Sequence, residues 1–263
     1  MSRISKRFDQ CKERNEMALV CYLTAGYPDI DQSLEYLLAC SRGGADVIEV
    51  GVPFSDPLAD GPIIQFTSDQ ALKKGARPKQ VLELVRRFRQ MSDVPVVLMG
   101  YYNPVFRIGE DAFASKAKAA GADGLIVADL PAEESKGLIA ACKKNDMDLI
   151  QLVAPTTSDE RMRSIARSSS GYLYLVSRMG ITGQSTDTGS EVKALIQRTK
   201  ECAGDLPVAV GFGIAEPAQV RDLRMAGADA AIVGTALLRR IVDGALPDEI
   251  EERTRNLKEA CHP

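Results

Sequence analysis

Eight short apolar runs separated by helical patterns constrain this chain more than any other feature. They are Met17–Leu23, Val47–Val50, Val94–Met99, Gly124–Ala128, Leu149–Val153, Tyr172–Val176, Pro207–Val210 and Ala230–Val233. Each is nearly continuous in hydrophobicity rather than alternating, which is how strands covered on both faces of a parallel sheet read. Between them, Leu34, Leu37, Leu38 and Ser41 share a face with Ile30, and Val81, Leu82, Val85 and Phe88 repeat at helical spacing after Pro78. The pattern returns at 110–120, 133–145, 159–168, 190–203, 216–226 and 235–243. Eight βα units in 263 residues predict an α/β fold, a single (β/α)8 TIM barrel over 1–263, rather than an open doubly wound sheet. Gly44-Ala45-Asp46, Gly121-Ala122-Asp123 and Gly227-Ala228-Asp229 each precede an apolar run, where glycine suits a helix C-terminus and a tight turn. Residues 1–14 read as an extra N-terminal helix, and 54–75 as an inserted loop and helix after the second strand. The polar segment Arg178–Gly189 is too long for a turn and reads as an active-site lid.

Composition removes several function classes. The net charge is −3, with no block of like charge, which argues against a nucleic-acid ligand. No apolar stretch approaches the ~20 residues of a membrane span. Six scattered cysteines without a C-x-x-C pair, and an N-terminus without an apolar signal segment, predict free buried thiols and a cytoplasmic protein. The single histidine, His262, sits beside the final residue and reads as a solvated tail group. Histidine catalysis and histidine-based metal sites are therefore disfavoured, and acid/base work falls to carboxylates, Tyr, Lys or Cys.

In a barrel the active site lies at the C-terminal strand ends. Glu49 stands inside an apolar run and shares a face with Val47 and Gly51. A carboxylate there is either satisfied by an Arg or backbone partner, or its pKa rises and it becomes an acid/base near neutrality. The loop Pro53–Pro62 that leaves this strand carries Asp56 and Asp60, which read either as turn and cap residues or as site carboxylates. Gly211-Phe212-Gly213 and Gly234-Thr235 follow the seventh and eighth strands, where barrels build phosphate sites from backbone N–H groups and a helix N-terminus. Gly183 offers a further N–H. None of the thirteen lysines falls in an apolar run, so a Schiff-base aldolase is disfavoured. A Mg²⁺ held by Glu49, Asp60 and Asp129 is the metal alternative. No third glycine completes a dinucleotide fingerprint after Gly213. Metal-free and cofactor-free acid/base chemistry on a small phosphate ester remains.

The segments Tyr22–Asp29, Ile48–Pro62, Ala128–Pro131 and Gly211–Ile214 resemble the tryptophan synthase α-subunit family, in order and over the whole chain. That resemblance implies retro-aldol cleavage of indole-3-glycerol phosphate to indole and glyceraldehyde 3-phosphate, a lyase step of tryptophan biosynthesis without a cofactor. It implies Glu49 as acid/base and Asp60 as the group that holds the indole N–H. Tyr22, Tyr101, Ile126, Ala128, Leu152, Tyr174 and Phe212 would line the pocket, with Thr182 in a lid that closes near Asp60. Gly183, Gly213, Gly234 and Thr235 would hold the phosphate. Tyr22 stands where the family commonly has Phe, and Thr235 replaces a common Ser. The resemblance also implies a tryptophan synthase β subunit as partner in an α2β2 complex, which would switch the α subunit on by ordering the 53–60 loop and the lid. Three rival readings are a stand-alone lyase releasing indole, a carboxylate-based sugar-phosphate isomerase, and a non-catalytic subunit that gates a partner.

Overall fold

The computed structural model describes residues 1–176, 188–211 and 213–263. Eight parallel strands close in sequence order into a barrel: β1 (Ala18–Thr24), β2 (Val47–Gly51), β3 (Val96–Gly100), β4 (Gly124–Val127), β5 (Asp148–Val153), β6 (Leu173–Val176), β7 (Val208–Gly211) and β8 (Ala230–Val233). The ring is sealed by β1 against β8, from Ala18↔Ala230 to Cys21↔Val233. All eight apolar runs are strands. Val94 and Pro95 fall outside β3, and Ala128 lies just beyond β4, where its N–H donates to Gly100 O at 2.9 Å.

Twelve helices run through the described residues. The N-terminal helix, α1 (Arg3–Glu13), is capped by Ser2, whose hydroxyl accepts from Ser5 N. Next come α2 (Ile30–Arg42), capped by Asp29, then α3 (Pro62–Lys73) and α4 (Pro78–Arg89), both with proline in the first turn. The insertion after β2 is thus a loop and the helix α3. Beyond β3 stand α5 (Tyr102–Ile108) and α6 (Glu110–Ala120), and α7 (Lys136–Lys144), α8 (Asp159–Ser168), α9 (Thr188–Ala203), α10 (Pro217–Met225) and α11 (Thr235–Val242) follow their strands. The last helix, α12 (Pro247–Glu259), packs on α2. The segment Arg178–Gly189 does not stand as one loop, because its last two residues open α9, and 178–187 lie outside the described residues. Two helices escape the sequence patterns. In α5, seven residues are too few for a period and Pro104 interrupts them; α12 is so charged that only Ile250, Thr254 and Leu257 mark its buried face.

The core has two parts. The larger fills the space between the sheet's outer face and the helices. The smaller fills the barrel itself, where Val20, Val47, Val97, Ile126, Ile150, Ala209 and Ile232 meet. Into its N-terminal end α1 inserts Ile4, Phe8 and Cys11, and the Phe8 ring packs on Tyr172 with centroids 5.6 Å apart. All six cysteines are free and buried. Among the described residues no helix is long and apolar enough to cross a membrane.

The three Gly-Ala-Asp echoes do more than turn the chain. Each glycine is left-handed, with φ of +95°, +101° and +92° at Gly44, Gly121 and Gly227, a conformation that costs glycine little. The aspartate that follows accepts a backbone N–H of the neighbouring strand: Leu19 N on Asp46, Val96 N on Asp123 and Val208 N on Asp229, at 2.8–2.9 Å. Each also holds a cation, Lys258 at 2.8 Å, Arg89 at 2.9 Å and Lys200 at 2.7 Å respectively. The N-terminal rim is thereby stapled by charge-assisted bonds.

Replacing Phe8 by alanine removes the plug's largest side chain, which is only 5% exposed. The loss of burial together with the cavity left behind predicts a fall in unfolding free energy of about 3–5 kcal/mol, readable as a lower urea midpoint with an unchanged slope.

Candidate active site

Along β2, Val47 and Glu49 point inward and Gly51 ends the strand, so Glu49 occupies a core position of the barrel interior. Its carboxylate is fully buried. Tyr172, the residue just before β6, donates from its hydroxyl to Glu49 Oε1 at 2.6 Å, while Glu49 Oε2 meets no donor among the described residues. Burial lifts the Glu49 pKa to about 7, against the opposing pull of the Tyr172 bond. A carboxylic acid with one oxygen anchored and the other free, titrating near neutrality, can deliver and remove protons. Tyr172 itself titrates well above an ordinary tyrosine, through burial and the neighbouring carboxylate, and stays a donor.

Above Glu49 the inner wall is built from tyrosines set against glycines. A Cβ on Gly51 would collide with the Tyr22 hydroxyl, one on Gly234 would sit 3.0 Å from Tyr22 Cβ, and one on Gly211 would sit 2.7 Å from the Tyr174 hydroxyl. The glycines that end β2, β7 and lead out of β8 therefore make the space into which Tyr22 and Tyr174 reach. Burial pushes both phenols upward in pKa, and Asp60 and Glu49 are among the charges that do so. Leu152 pairs with Tyr174 in the sheet register and packs with it over the inner cluster. Ile126 belongs to that cluster at 1% exposure, and Ala128 continues its strand line upward.

Tyr101 follows β3 and grips the loop that leaves β2. Its hydroxyl accepts from Ala59 N at 3.1 Å, and its ring stacks on Phe54 with centroids 5.2 Å apart. Asp60 is half-buried; burial raises its pKa, and a hydrogen bond from Tyr101 opposes the rise. Asp129 is drawn elsewhere: it accepts from Tyr102 N at 2.7 Å, capping α5. Asp56 is exposed and accepts from Ser55.

On the opposite rim, Gly213 adopts φ +66° and Gly234 leads directly into α11 with Thr235 as its first residue. Among the described residues no side chain caps α11, which leaves its first-turn N–H groups and positive helix end for an anion. A cavity of about 710 Å³ beside these turns includes Gly213, Thr235, Arg239, Arg240 and Arg253. Thr182, Gly183 and Phe212 lie outside the described residues. Tyr172 is the site residue that the sequence patterns did not single out, although alternation from Tyr174 places it on the same inner face.

A closed parallel barrel with a dry carboxylate in its wall, a second carboxylate on the adjoining loop and an anion-ready turn after β8 defines a barrel enzyme of the acid/base kind. The family model described as tryptophan synthase alpha chain matches residues 8–263, and the chain belongs to that family. It is similar to the tryptophan synthase alpha chain of Synechocystis sp., 46% identical over 264 residues covering 99% of both chains. To that of Methanosarcina acetivorans it is 46% identical over 257 residues, 97% of this chain and 93% of the relative. Among solved structures, the tryptophan synthase subunit alpha of Legionella pneumophila str. Paris superposes with a TM-score of 0.91 at 37% identity, covering 99% of this chain and 98% of that one. A chain of tryptophan synthase from M. tuberculosis superposes with a TM-score of 0.90 at 35% identity, covering 100% and 99%. The family's enzymes are lyases that cleave indole-3-glycerol phosphate, a step of tryptophan biosynthesis.

The raised pKa of Glu49 has a consequence for stability. The protonated form is the one the folded barrel prefers, so its contribution is complete below the ordinary pKa of 4.5 and is lost as pH rises through about 7. Glu49→Gln, which cannot ionise, should match the wild type at pH 4 and exceed it by about 3 kcal/mol at pH 8. Urea denaturation at the two pH values measures the difference.

Proposed function

We propose that Glu49 and Asp60 carry the family's cleavage of indole-3-glycerol phosphate in this chain. The bond between indole C3 and the adjacent glycerol carbon breaks when C3 gains a proton and the hydroxyl on that carbon loses one; the products are indole and glyceraldehyde 3-phosphate. Glu49 moves these protons. The observation that carries this assignment is its unpartnered Oε2 in a dry wall, on an acid that titrates at about 7. The Tyr172 bond fixes the other oxygen and keeps the carboxyl from turning away. Asp60 accepts from the indole N–H and stabilises the positive charge that grows on the protonated ring, an interaction stronger in the transition state than in the ground state.

Tyr22, Ile126, Ala128, Leu152 and Tyr174 form the apolar wall for indole, while Gly213, Gly234 and Thr235 take the phosphate. From the family resemblance Thr182 is assigned to the lid, Gly183 to the phosphate and Phe212 to the pocket. Tyr101 is both wall and post: by holding Ala59 N–H, the Phe54 ring and the Asp60 carboxyl, it keeps the loop over the pocket.

The partner in this reading is a tryptophan synthase β subunit, in an α2β2 assembly in the cytoplasm. An exposed apolar surface on the same face supports it. Leu58 is 90% and Phe106 67% exposed, and a groove of about 660 Å³ holds Pro53, Phe54, Pro104 and Ile108. Patches of this kind on the surface mark protein contacts.

The test is consumption of indole-3-glycerol phosphate by the purified chain in EDTA, with and without a β subunit. Glu49→Gln is expected to lower kcat by about 10²–10⁴-fold with KM little changed, and the β subunit to raise the wild-type rate. Full activity of Glu49→Gln would sink the assignment, and equal rates with and without the partner would remove the activation. Tyr101→Phe keeps the ring but not the hydroxyl. It should cost about tenfold in kcat and move the Asp60 limb of the pH–rate profile to higher pH, because burial then acts on Asp60 unopposed.

A further inference from the structure

The strand-start aspartates Asp46, Asp123 and Asp229 each hold a strand N–H and a cation. A fourth residue, Asp148, occupies the same place at the head of β5. It follows Asp146, left-handed at φ +52° like the glycines of the other three, and its own N–H joins the ring through Asp123 O at 2.9 Å. Yet the residue is only 8% exposed, and Oδ2 is buried without a donor among the described residues. A carboxylate taken from water and left unpaired is costly, and no described residue donates to either oxygen of Asp148, so this position asks for a donor from outside.

Asp148 lines a cavity of about 720 Å³ at the N-terminal end of the barrel, opposite the active site. Around it stand Lys6, Lys143 and Arg167, whose side chains have no hydrogen bond or ion pair among the described residues. A group of unneutralised cations beside an orphaned, buried carboxylate is complementary to a molecule that is polyanionic at one end and carries hydroxyl donors at the other. The volume suits a small metabolite. A zwitterionic amino acid would meet Asp148 with its ammonium but would leave the excess of positive charge unbalanced.

We propose that this cavity is a second small-molecule site, distinct from the lyase pocket, for a hydroxylated phosphate monoester such as a sugar phosphate. The phosphate lies among Lys6, Lys143 and Arg167, and a hydroxyl donates to Asp148. No covalent step is involved.

The lyase pocket also takes a phosphate ester, so the test closes that pocket with Thr235→Asp, which sets a negative charge at the head of α11. Ribose 5-phosphate is titrated calorimetrically into the full chain in this background. Saturable one-to-one binding is expected, weakened about tenfold or more by Asp148→Asn and by Lys143→Glu. Inorganic phosphate, without a polyol, should bind more weakly and should not distinguish Asp148→Asn from its parent. Asp148→Asn preserves shape and Lys143 is exposed, and urea midpoints confirm that both variants are folded. In the otherwise wild-type chain both should cleave indole-3-glycerol phosphate at the parental rate, which separates this site from the lyase reading. Absence of saturable binding overturns the proposal, as does binding indifferent to both substitutions. Binding lost in Lys143→Glu but intact in Asp148→Asn overturns the hydroxyl contact and leaves only an anion site.

Discussion

A ring of eight strands has no edge, and its interior can be filled only by the side chains the strands turn inward and by whatever closes the ends. That requirement decides the rest of this molecule. At the N-terminal end the filling comes from Ile4, Phe8 and Cys11 of α1; in the middle it comes from aliphatic residues. One middle position is given to a carboxylate. Glu49 is tolerated there because Tyr172 supplies one hydrogen bond and protonation removes the charge. The same dryness that penalises the carboxylate also makes it an acid/base usable at neutral pH. Structural cost and chemical use are one property.

Much of this was legible in the sequence, and for physical reasons. Strands covered on both faces must be largely apolar, so all eight stood out, and Glu49 was conspicuous as the charged residue inside such a run. Pro78, suited to a first helical turn, marked α4. What escaped depended on contacts across the ring. Tyr172 and Tyr174 look alike in a strand, and only the closed barrel shows that the first faces Glu49 and the second faces Gly211. The Gly-Ala-Asp triplets were readable as turns, but the use of each aspartate as a receiver for a neighbouring strand's N–H required three-dimensional adjacency. In α12 a charged sequence with few buried residues hid a helix that the Lys258–Asp46 pair ties to the barrel. Asp129, which the sequence offered only as a partner of Glu49 and Asp60 in a metal alternative, caps α5, whereas Asp60 is drawn toward Tyr101.

The two ends of the barrel divide the work. The N-terminal rim is fastened by aspartates bonded to backbone and to lysine or arginine, an arrangement that leaves little freedom. The C-terminal end carries glycines, a helix without a side-chain cap among the described residues and a loop held by Tyr101 and by Gln65, whose amide donates to Asp60 O at 2.8 Å, all of which leave backbone donors and space unfilled. Rigidity below and unsatisfied groups above suit the proposed site, in which a carboxylate is held still while a substrate is accepted.

Closure by β1 against β8 joins residues more than two hundred positions apart, from Ala18 to Ala230. During synthesis the plug and the first strand emerge long before the strand that completes the ring, and Asp46 must wait longer still for Lys258. Until then, seven apolar strands present a growing sheet with two open edges. The ring that protects the finished enzyme from pairing with its neighbours is thus a late acquisition, and the nascent chain must be kept from strangers while it waits for its own last strand.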